Sequence, residues 1–256
     1  MSVIPVRSPS AATDAAWLAA ADIATIASTL EVKYRLVGGI AVTLLTHRYG
    51  VQDQVDARET ADADMGVPKE VCGDDRLPAA LLGLGYKREG GNRFVRSDGD
   101  RNRTIDVLAP SPTVHLESNQ PVGELSVDLI PGLTTALRLD PVQVSINAQL
   151  QDGSSVTMTL DLPHLIGALT LKAFAFKGRL QTSDAIDIWR LLVAADAAGI
   201  TAADWPSTGD GKHAGALLHE HFGRTNAIAV RRALPRPADQ ANLRLLLRDV
   251  VADARI

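Results

Sequence analysis

Residues Thr60-Ala-Asp-Ala-Asp-Met-Gly-Val67 contain two aspartates, Asp62 and Asp64, separated by one small residue. The small and apolar residues around them are typical of a strand, on which side chains two positions apart point to the same face. Two carboxylates that project together repel each other, so one takes up a proton unless a cation neutralises the pair. A divalent metal with oxygen ligands is the usual solution. Taken alone, the motif is equally compatible with a solvated acidic loop.

A second acidic strand is predicted at Thr104-Ile-Asp-Val-Leu108, where Asp106 lies between the apolar residues Ile105 and Val107. The two apolar side chains point to the face opposite Asp106. If this strand lies beside residues 60–67, Asp106 is a third carboxylate next to the first pair. An exposed strand position is the alternative. Together the three acids predict a site for Mg²⁺, with Mn²⁺ as an alternative ion.

Two features, one before and one after the acidic strands in the chain, are suited to binding phosphate groups. Gly38-Gly39 lies between a predicted strand at 34–37 and a predicted helix at 40–48. Backbone N–H groups at such a turn can approach an anion, and the helix dipole places positive charge there. A tight turn with no ligand is the simpler interpretation of the pair. Lys172 lies in an otherwise apolar helical segment, where an ammonium without a partner is costly to bury.

The residues that follow Lys172 extend this basic helix face. Arg179 is seven positions further on and therefore shares the helix face of Lys172. Asp184 lies near the start of the next predicted helix, where the helix dipole favours a carboxylate, so a capping role is the alternative for it. Asp187 is three residues further along the same face, and capping does not account for it. A glycine turn, strand carboxylates and a helical lysine together predict metal-dependent nucleotidyl transfer.

The chain predicts an α+β fold in two parts. Residues 1–160 alternate helices and strands, and a helix-rich part covers 161–256 and includes Lys172 and Asp187. We therefore expect a mixed sheet with flanking helices at 1–160, followed by a C-terminal helical domain at 161–256 that binds the acceptor.

The motifs resemble those of nucleotidyltransferase toxins of the AbiEii/MenA type, a branch of the polymerase-β-like nucleotidyltransferase superfamily. The resemblance covers residues 34–192 and rests on five segments: Val37–Val42, Arg58–Asp64, Thr104–Leu108, Lys172–Arg179 and Ser183–Ile188. It implies the polymerase-β-like fold for the mixed sheet. Family members are typically the toxin of a toxin–antitoxin pair, and some modify the acceptor end of tRNA. The chain departs from the superfamily in having no serine after Gly38 and no basic residue before Asp184.

The resemblance also implies roles for individual residues. Asp62, Asp64 and Asp106 would be the metal ligands and catalytic carboxylates, together with Lys172 and Asp187 as further catalytic residues. The nucleotide would be bound by a set that shares Lys172 with the first: Gly38, Gly39, Lys172, Arg179 and Asp184. Arg58 would contact or position phosphate.

Composition excludes several classes of protein. The chain has 256 residues, of which 46% are hydrophobic and 22% charged, typical of a globular protein with a substantial core. The single cysteine, Cys72, cannot form an internal disulfide, which favours a reducing cytoplasm. No run approaches the roughly 20 apolar residues of a membrane span, so no membrane partner is expected. A net charge of −4 requires that any nucleic acid bind to a local basic surface.

The leading hypothesis is a cytoplasmic, Mg²⁺-dependent nucleotidyltransferase that transfers NMP from NTP to an RNA 3′ end, with the tRNA acceptor stem as expected substrate. In it the protein acts as a toxin with a cognate antitoxin, and RNA binds a basic hairpin at 86–104 that includes Arg93 and Arg96. A second hypothesis changes the acceptor to a small molecule, such as an aminoglycoside-like antibiotic, or to a protein hydroxyl. A third is a non-catalytic binding module of the same fold.

Overall fold

The structure, a computed structural model, describes residues 3–56, 59–99 and 101–253. The strands are β1 (Val3–Arg7), β2 (Arg35–Val37), β3 (Ala63–Gly66), β4 (Lys87–Arg88), β5 (Arg93–Asp98), β6 (Arg101–Pro110), β7 (Glu117–Val122), β8 (Leu125–Ile130), β9 (Val142–Gln149) and β10 (Ser155–Leu162). The helices are α1 (Ala11–Leu30), α2 (Gly38–Arg48), α3 (Lys69–Cys72), α4 (Arg76–Gly83), α5 (Leu133–Arg138), α6 (Leu165–Arg179), α7 (Thr182–Ala197), α8 (Gly209–Phe222), α9 (Ile228–Ala233) and α10 (Pro237–Val250). The predicted α+β class, with a mixed sheet and flanking helices, is confirmed.

A seven-stranded mixed sheet forms the centre of the N-terminal half. Its main path runs β2-β3-β6-β5-β4, and β8 pairs with both β6 and β7. Strands β3 and β6 are parallel neighbours, whereas β5 and β6 form an antiparallel hairpin. Met65, Ile105 and Val107 are fully buried on one face of the sheet. The alternation of side chains along β3 and β6 therefore turns the acidic residues between them to the opposite face.

A second sheet of three strands, in the order β1-β9-β10, packs beside the first. Val144, Ile146 and Ala148 of β9 are buried, and the residues between them lie on the outer, polar face. Strand β1 pairs with β9 in parallel although more than 130 residues separate Val3 from Ser145 in the chain. Sequence periodicity did not predict β1, because its pairing depends on a distant strand.

The C-terminal half is helical, as predicted from residue 164 onward. One predicted helix, at 212–232, is in fact two, α8 and α9, because the polar segment after Gly223 interrupts the apolar pattern. Helix α7 packs against α2 of the N-terminal half, and one hydrophobic cluster includes Ile23 of α1 and Leu191 of α7. The division into 1–160 and 161–256 stays a prediction. Among the described residues, no helix has the length and apolar character needed to cross a membrane.

Candidate active site

The structure brings the three predicted carboxylates together on one face of the large sheet, at its interior strands β3 and β6. Asp64 of β3 lies directly beside Asp106 of β6 in the parallel register, and Asp62 immediately precedes β3. One carboxylate oxygen from each of the three lies within 4.8 Å of the others. The alternation seen in the sequence, with parallel pairing of the two strands, is sufficient to produce this acidic wall, the name we give to Asp62, Asp64 and Asp106.

The acidic wall holds unbalanced negative charge at Asp64. Burial first, and then the neighbouring carboxylates of Asp62 and Asp106, raise the pKa of the Asp64 carboxyl to about 7. Lys172 and Arg179 act in the opposite direction but do not cancel the effect. Three close carboxylates, one of which has a raised pKa, fit a hard divalent cation such as Mg²⁺ or Mn²⁺.

The glycine pair forms the first turn of α2, next to the acidic wall. Gly38 has a φ of +75°, in the left-handed region that L side chains rarely adopt. A Cβ atom at this position would lie 2.0 Å from Oδ2 of Asp64, so the close approach of backbone to carboxylate also requires glycine. Gly38 and Gly39 both line the cleft in front of the carboxylates, where the N-terminus of α2 favours an anion.

Lys172 lies across the cleft on α6 with its charge already paired. Its Nζ lies 2.8 Å from Oδ2 of Asp187 and 3.3 Å from Oδ1 of Asp184, and 10% of the side chain is exposed. Arg179 makes a bidentate pair with Asp184, from Nη2 at 2.8 Å to Oδ1 and from Nε at 3.2 Å to Oδ2. We call Lys172 and Arg179 the basic wall, and Asp184 and Asp187 its supporting acids.

Asp184 and Asp187 therefore fix the positions of the Lys172 and Arg179 side chains by ion pairs on the side away from the cleft. Of the predicted residues on α6 and α7, Lys172 and Arg179 line the cleft, whereas the two aspartates are buried behind them. Asp187 also lies 3.6 Å from Nη1 of Arg190, whose Nη2 donates a hydrogen bond of 3.2 Å to the hydroxyl of Thr43 on α2. This buried network ties the basic wall to the helix that begins at the glycine pair.

Arg93 and Asp128 are two of the polar cleft residues that were missed as site residues. Arg93 of β5 donates from Nε to Oδ1 of Asp106 at 2.9 Å and from Nη2 to Oδ2 at 2.7 Å. Asp128 of β8 lies opposite Leu108 of β6 and also lines the cleft. The signal for Asp128 was present, since it is an acid between apolar residues of an alternating strand, as Asp106 is. Arg93 was interpreted only as part of the basic hairpin.

The two walls enclose a cleft of about 710 Å³. Its charged and polar lining includes residues of both walls and several others: Gly38, Gly39, Thr60, Asp62, Asp64, Asn92, Arg93, Asp106, His115, Asp128, Lys172, Lys177 and Arg179. Leu108, Val114 and Phe174 contribute an apolar part. A cleft of this size, largely preformed and with a few charged groups, suits a small ligand.

Arg58, which was predicted to contact or position phosphate, lies outside the described residues.

Four of the six bases of the basic hairpin are paired with carboxylates, whereas Lys87 and Arg88 of β4 are exposed. Besides Arg93, three of its arginines form ion pairs with carboxylates. Arg96 pairs with Asp98, Arg101 lies 3.4 Å from Asp14 and 3.3 Å from Asp152, and Arg103 pairs with Asp22 at 2.9 Å and with Asp98. The positive charge counted in the sequence at 86–104 is therefore largely neutralised by acids from α1, the hairpin turn and the β9–β10 turn.

No protein-family model matches the chain, and no curated protein is detectably similar to it in sequence. Among solved structures, the solution structure of the antibiotic-resistance factor ANT(2'')-Ia is 13% identical over 89% of this chain and 88% of that chain, at a TM-score of 0.33. A crystal structure of ANT(2'')-Ia in complex with adenylyl-2''-tobramycin is 15% identical over 91% of this chain and 95% of that chain, at a TM-score of 0.31. Similarity at this level identifies neither an activity nor a substrate, and the chemistry has to be inferred from the cleft itself.

Proposed function

We propose that the protein is a metal-dependent nucleotidyltransferase that transfers NMP from an NTP to a hydroxyl group of a small acceptor molecule. The observation that supports this best is the pairing of the two walls across one cleft. Three carboxylates lie on one side, beside the helix N-terminus at Gly38 and Gly39, and Lys172 and Arg179 lie on the other. An acidic metal site next to a cationic phosphate site is the arrangement that phosphoryl and nucleotidyl transfer require.

Each group of residues has a distinct part in this reaction. Asp62 and Asp64 would hold a divalent cation, which when bound neutralises charge on the α-phosphate and on the leaving pyrophosphate. The backbone of Gly38 and Gly39 and the side chains of Lys172 and Arg179 bind and orient the triphosphate. Asp106 completes the acidic wall on the side of the cleft that leads to Asp128.

The transfer forms one bond and breaks one. The oxygen of the acceptor hydroxyl forms a bond to the α-phosphorus, and the bond between that phosphorus and the oxygen that bridges it to the β-phosphorus breaks. Pyrophosphate leaves with the bonding electron pair, and the hydroxyl proton passes to water in the open cleft. The cations of the basic wall stabilise the charge that develops on the leaving group.

We place the acceptor at the end of the cleft that is lined by Arg93, Asp106 and Asp128, and the charges there favour a small neutral or cationic molecule. Arg93 and Asp106 cancel each other, which leaves the carboxylate of Asp128 as the remaining charge of these three residues. A polyanion such as RNA gains little from this end of the cleft, and four of the six bases of the hairpin beside it are paired with carboxylates. The tRNA acceptor, the toxin role and a cognate antitoxin stay predictions of the sequence, as does the cytoplasmic location.

A labelling assay tests the proposal. Wild type, Asp62→Ala and the control Asp196→Ala, an exposed acid on α7, would each receive one α-labelled NTP at a time with Mg²⁺ or Mn²⁺. The acceptors would be a panel of hydroxylated amino sugars, including aminoglycosides, and total tRNA. We expect label on a small acceptor with wild type and control. Asp62→Ala should be about 10³-fold slower, since loss of the metal site removes several kcal/mol of stabilisation.

Other outcomes discriminate between the hypotheses. Label on tRNA alone would contradict the small acceptor and restore the RNA hypothesis. No label on any acceptor, or equal rates for Asp62→Ala and wild type, would contradict metal-dependent transfer at this site. A non-catalytic binding module would in that case be favoured, with the further expectation that Asp62→Ala keeps its full biological effect.

A further inference from the structure

Arg93 is placed by the sheet itself directly against the acidic wall. In the antiparallel register of β5 and β6, Arg93 is the partner of Asp106, so both side chains lie on the same face. Its guanidinium contacts both carboxylate oxygens of Asp106, at 2.9 and 2.7 Å. Such a bidentate pair has fixed geometry and is stronger than a single hydrogen bond. Asp106 is therefore held by a permanent cation within the cleft.

The charges of the acidic wall balance in a specific way. Three ionised carboxylates, Asp62, Asp64 and Asp106, are neutralised by one divalent cation together with one guanidinium. A second divalent ion on Asp106 would lie close to the guanidinium, where two charges of the same sign repel each other. It would also have to compete with Arg93 for the carboxylate oxygens. Both effects oppose a second ion at this position.

The environment of the guanidinium supports this assignment. The Arg93 side chain lines the cleft and is 52% exposed. The side chain therefore lies between the acidic wall and the open space where substrates bind.

We propose that Arg93 takes the place of a second metal ion: the site binds one divalent cation, on Asp62 and Asp64, and the guanidinium holds Asp106. Arg93 is in this account a positioning residue that fixes the third carboxylate and supplies a resident positive charge. The inference rests on the proposed function for the presence of a metal, but it concerns the number of ions and the residue that limits it.

Counting bound Mn²⁺ tests this without any measurement of activity. Free Mn²⁺ would be measured by electron paramagnetic resonance during titration of wild type, Arg93→Met, Arg93→Met/Asp106→Asn and Arg96→Met. Arg96 is the control because it lies on the same strand but on the opposite face, paired with Asp98. We expect one Mn²⁺ for wild type and two for Arg93→Met. The double variant, which has the same net charge as wild type, should bind one ion with a Kd within about threefold of the wild-type value.

The remaining outcomes are unambiguous. Two bound Mn²⁺ in wild type, or one in Arg93→Met, would overturn the inference. A double variant that loses the ion would also overturn it, because Asp106 would then be a ligand of the single ion. This variant removes both partners of the pair and keeps the test valid if Arg93→Met does not fold. Wild type that binds one Mn²⁺ but transfers no nucleotide would contradict the proposed function alone, whereas wild type that binds none would contradict both.

Discussion

The acidic wall and the basic wall face each other across one cleft, yet their charges are handled in opposite ways. On the sheet, Asp62 and Asp64 lie beside each other with their repulsion unrelieved, and the pKa of Asp64 rises to about 7. On the helices, Lys172 is paired with two aspartates and Arg179 with one of them. The cations of the basic wall are neutralised by acids of the protein itself, whereas the acids of the sheet need a cation from solution. Removing an acid should therefore lower the stability of the metal-free protein on the helical side and raise it on the sheet side.

The largest effect is expected on the helical side, from Asp187→Asn. Asp187 is fully buried, and its loss as an ion leaves the ammonium of Lys172 with a single, longer contact to Asp184. Removing one partner of a buried pair typically costs about 3–5 kcal/mol. We expect the free energy of unfolding, measured by urea denaturation, to fall by about 3 kcal/mol.

Asp239→Asn is the matched control for Asp187→Asn. Asp239 pairs with Arg236 at 2.6 Å, but the arginine side chain is 77% exposed. Exposed pairs contribute about 0–1 kcal/mol, so this variant should be close to wild type. If Asp187→Asn costs no more than Asp239→Asn, Lys172 does not depend on its supporting acids and the contrast between the two walls is wrong.

A smaller effect on stability but a specific effect on the site is expected from Gly38→Ala. Its natural control is Gly50→Ala, because both glycines have a similar positive φ, +75° and +70°. Both variants should lose about 1–2 kcal/mol for placing alanine in the left-handed region. Only at Gly38 does the new Cβ meet a functional group, Oδ2 of Asp64, whereas nothing lies within 4 Å at Gly50.

Metal binding separates these two variants. The carboxylate of Asp64 has to move away from the new methyl group, so Gly38→Ala should bind Mn²⁺ at least about tenfold more weakly than wild type. Gly50→Ala should bind it as wild type does. Equal Mn²⁺ affinities for the two variants would mean that the contact between the glycine turn and Asp64 has no part in the acidic wall.

The acidic wall could be predicted from sequence because its signal is local. Asp64 and Asp106 each interrupt a short apolar strand, Asp62 lies two positions before Asp64, and alternation along the chain fixes which face they share. Only the pairing of β3 with β6 had to be assumed. Gly38 and Lys172 were recognisable for a similar reason, since each is an unusual residue type for its immediate surroundings.

The partners of these residues could not be predicted, because they are set by register and packing. The contact of Arg93 with Asp106 depends on the exact alignment of β5 with β6, and a shift of one residue would turn Arg93 to the other face. The same holds for Arg101, which is neutralised by Asp14 of α1 from a distant part of the chain. A count of basic residues in the hairpin could therefore not show that four of its six bases are paired with carboxylates.

The most direct contrast with Asp187→Asn is the pH dependence of Asp64→Asn. The folded pKa of Asp64, about 7, lies above the ordinary value of 3.8, so the folded protein binds this proton more tightly than the unfolded chain does. Its contribution to stability is fully present below about pH 4 and is lost as the pH rises through 7. In metal-free protein, wild type should therefore lose stability relative to Asp64→Asn between pH 5 and 8, by a few degrees in Tm.

Addition of Mg²⁺ makes this prediction specific to the acidic wall. At pH 8 the ion should raise the Tm of wild type, because a bound cation neutralises the carboxylates and stabilises only the folded state. It should leave Asp64→Asn nearly unchanged, and Asp196→Asn, an exposed acid on α7, should follow wild type throughout. If instead Asp64→Asn is less stable than wild type at pH 8 without metal, the carboxylate is already stabilised by the protein. The acidic wall would then be self-sufficient, as the basic wall is.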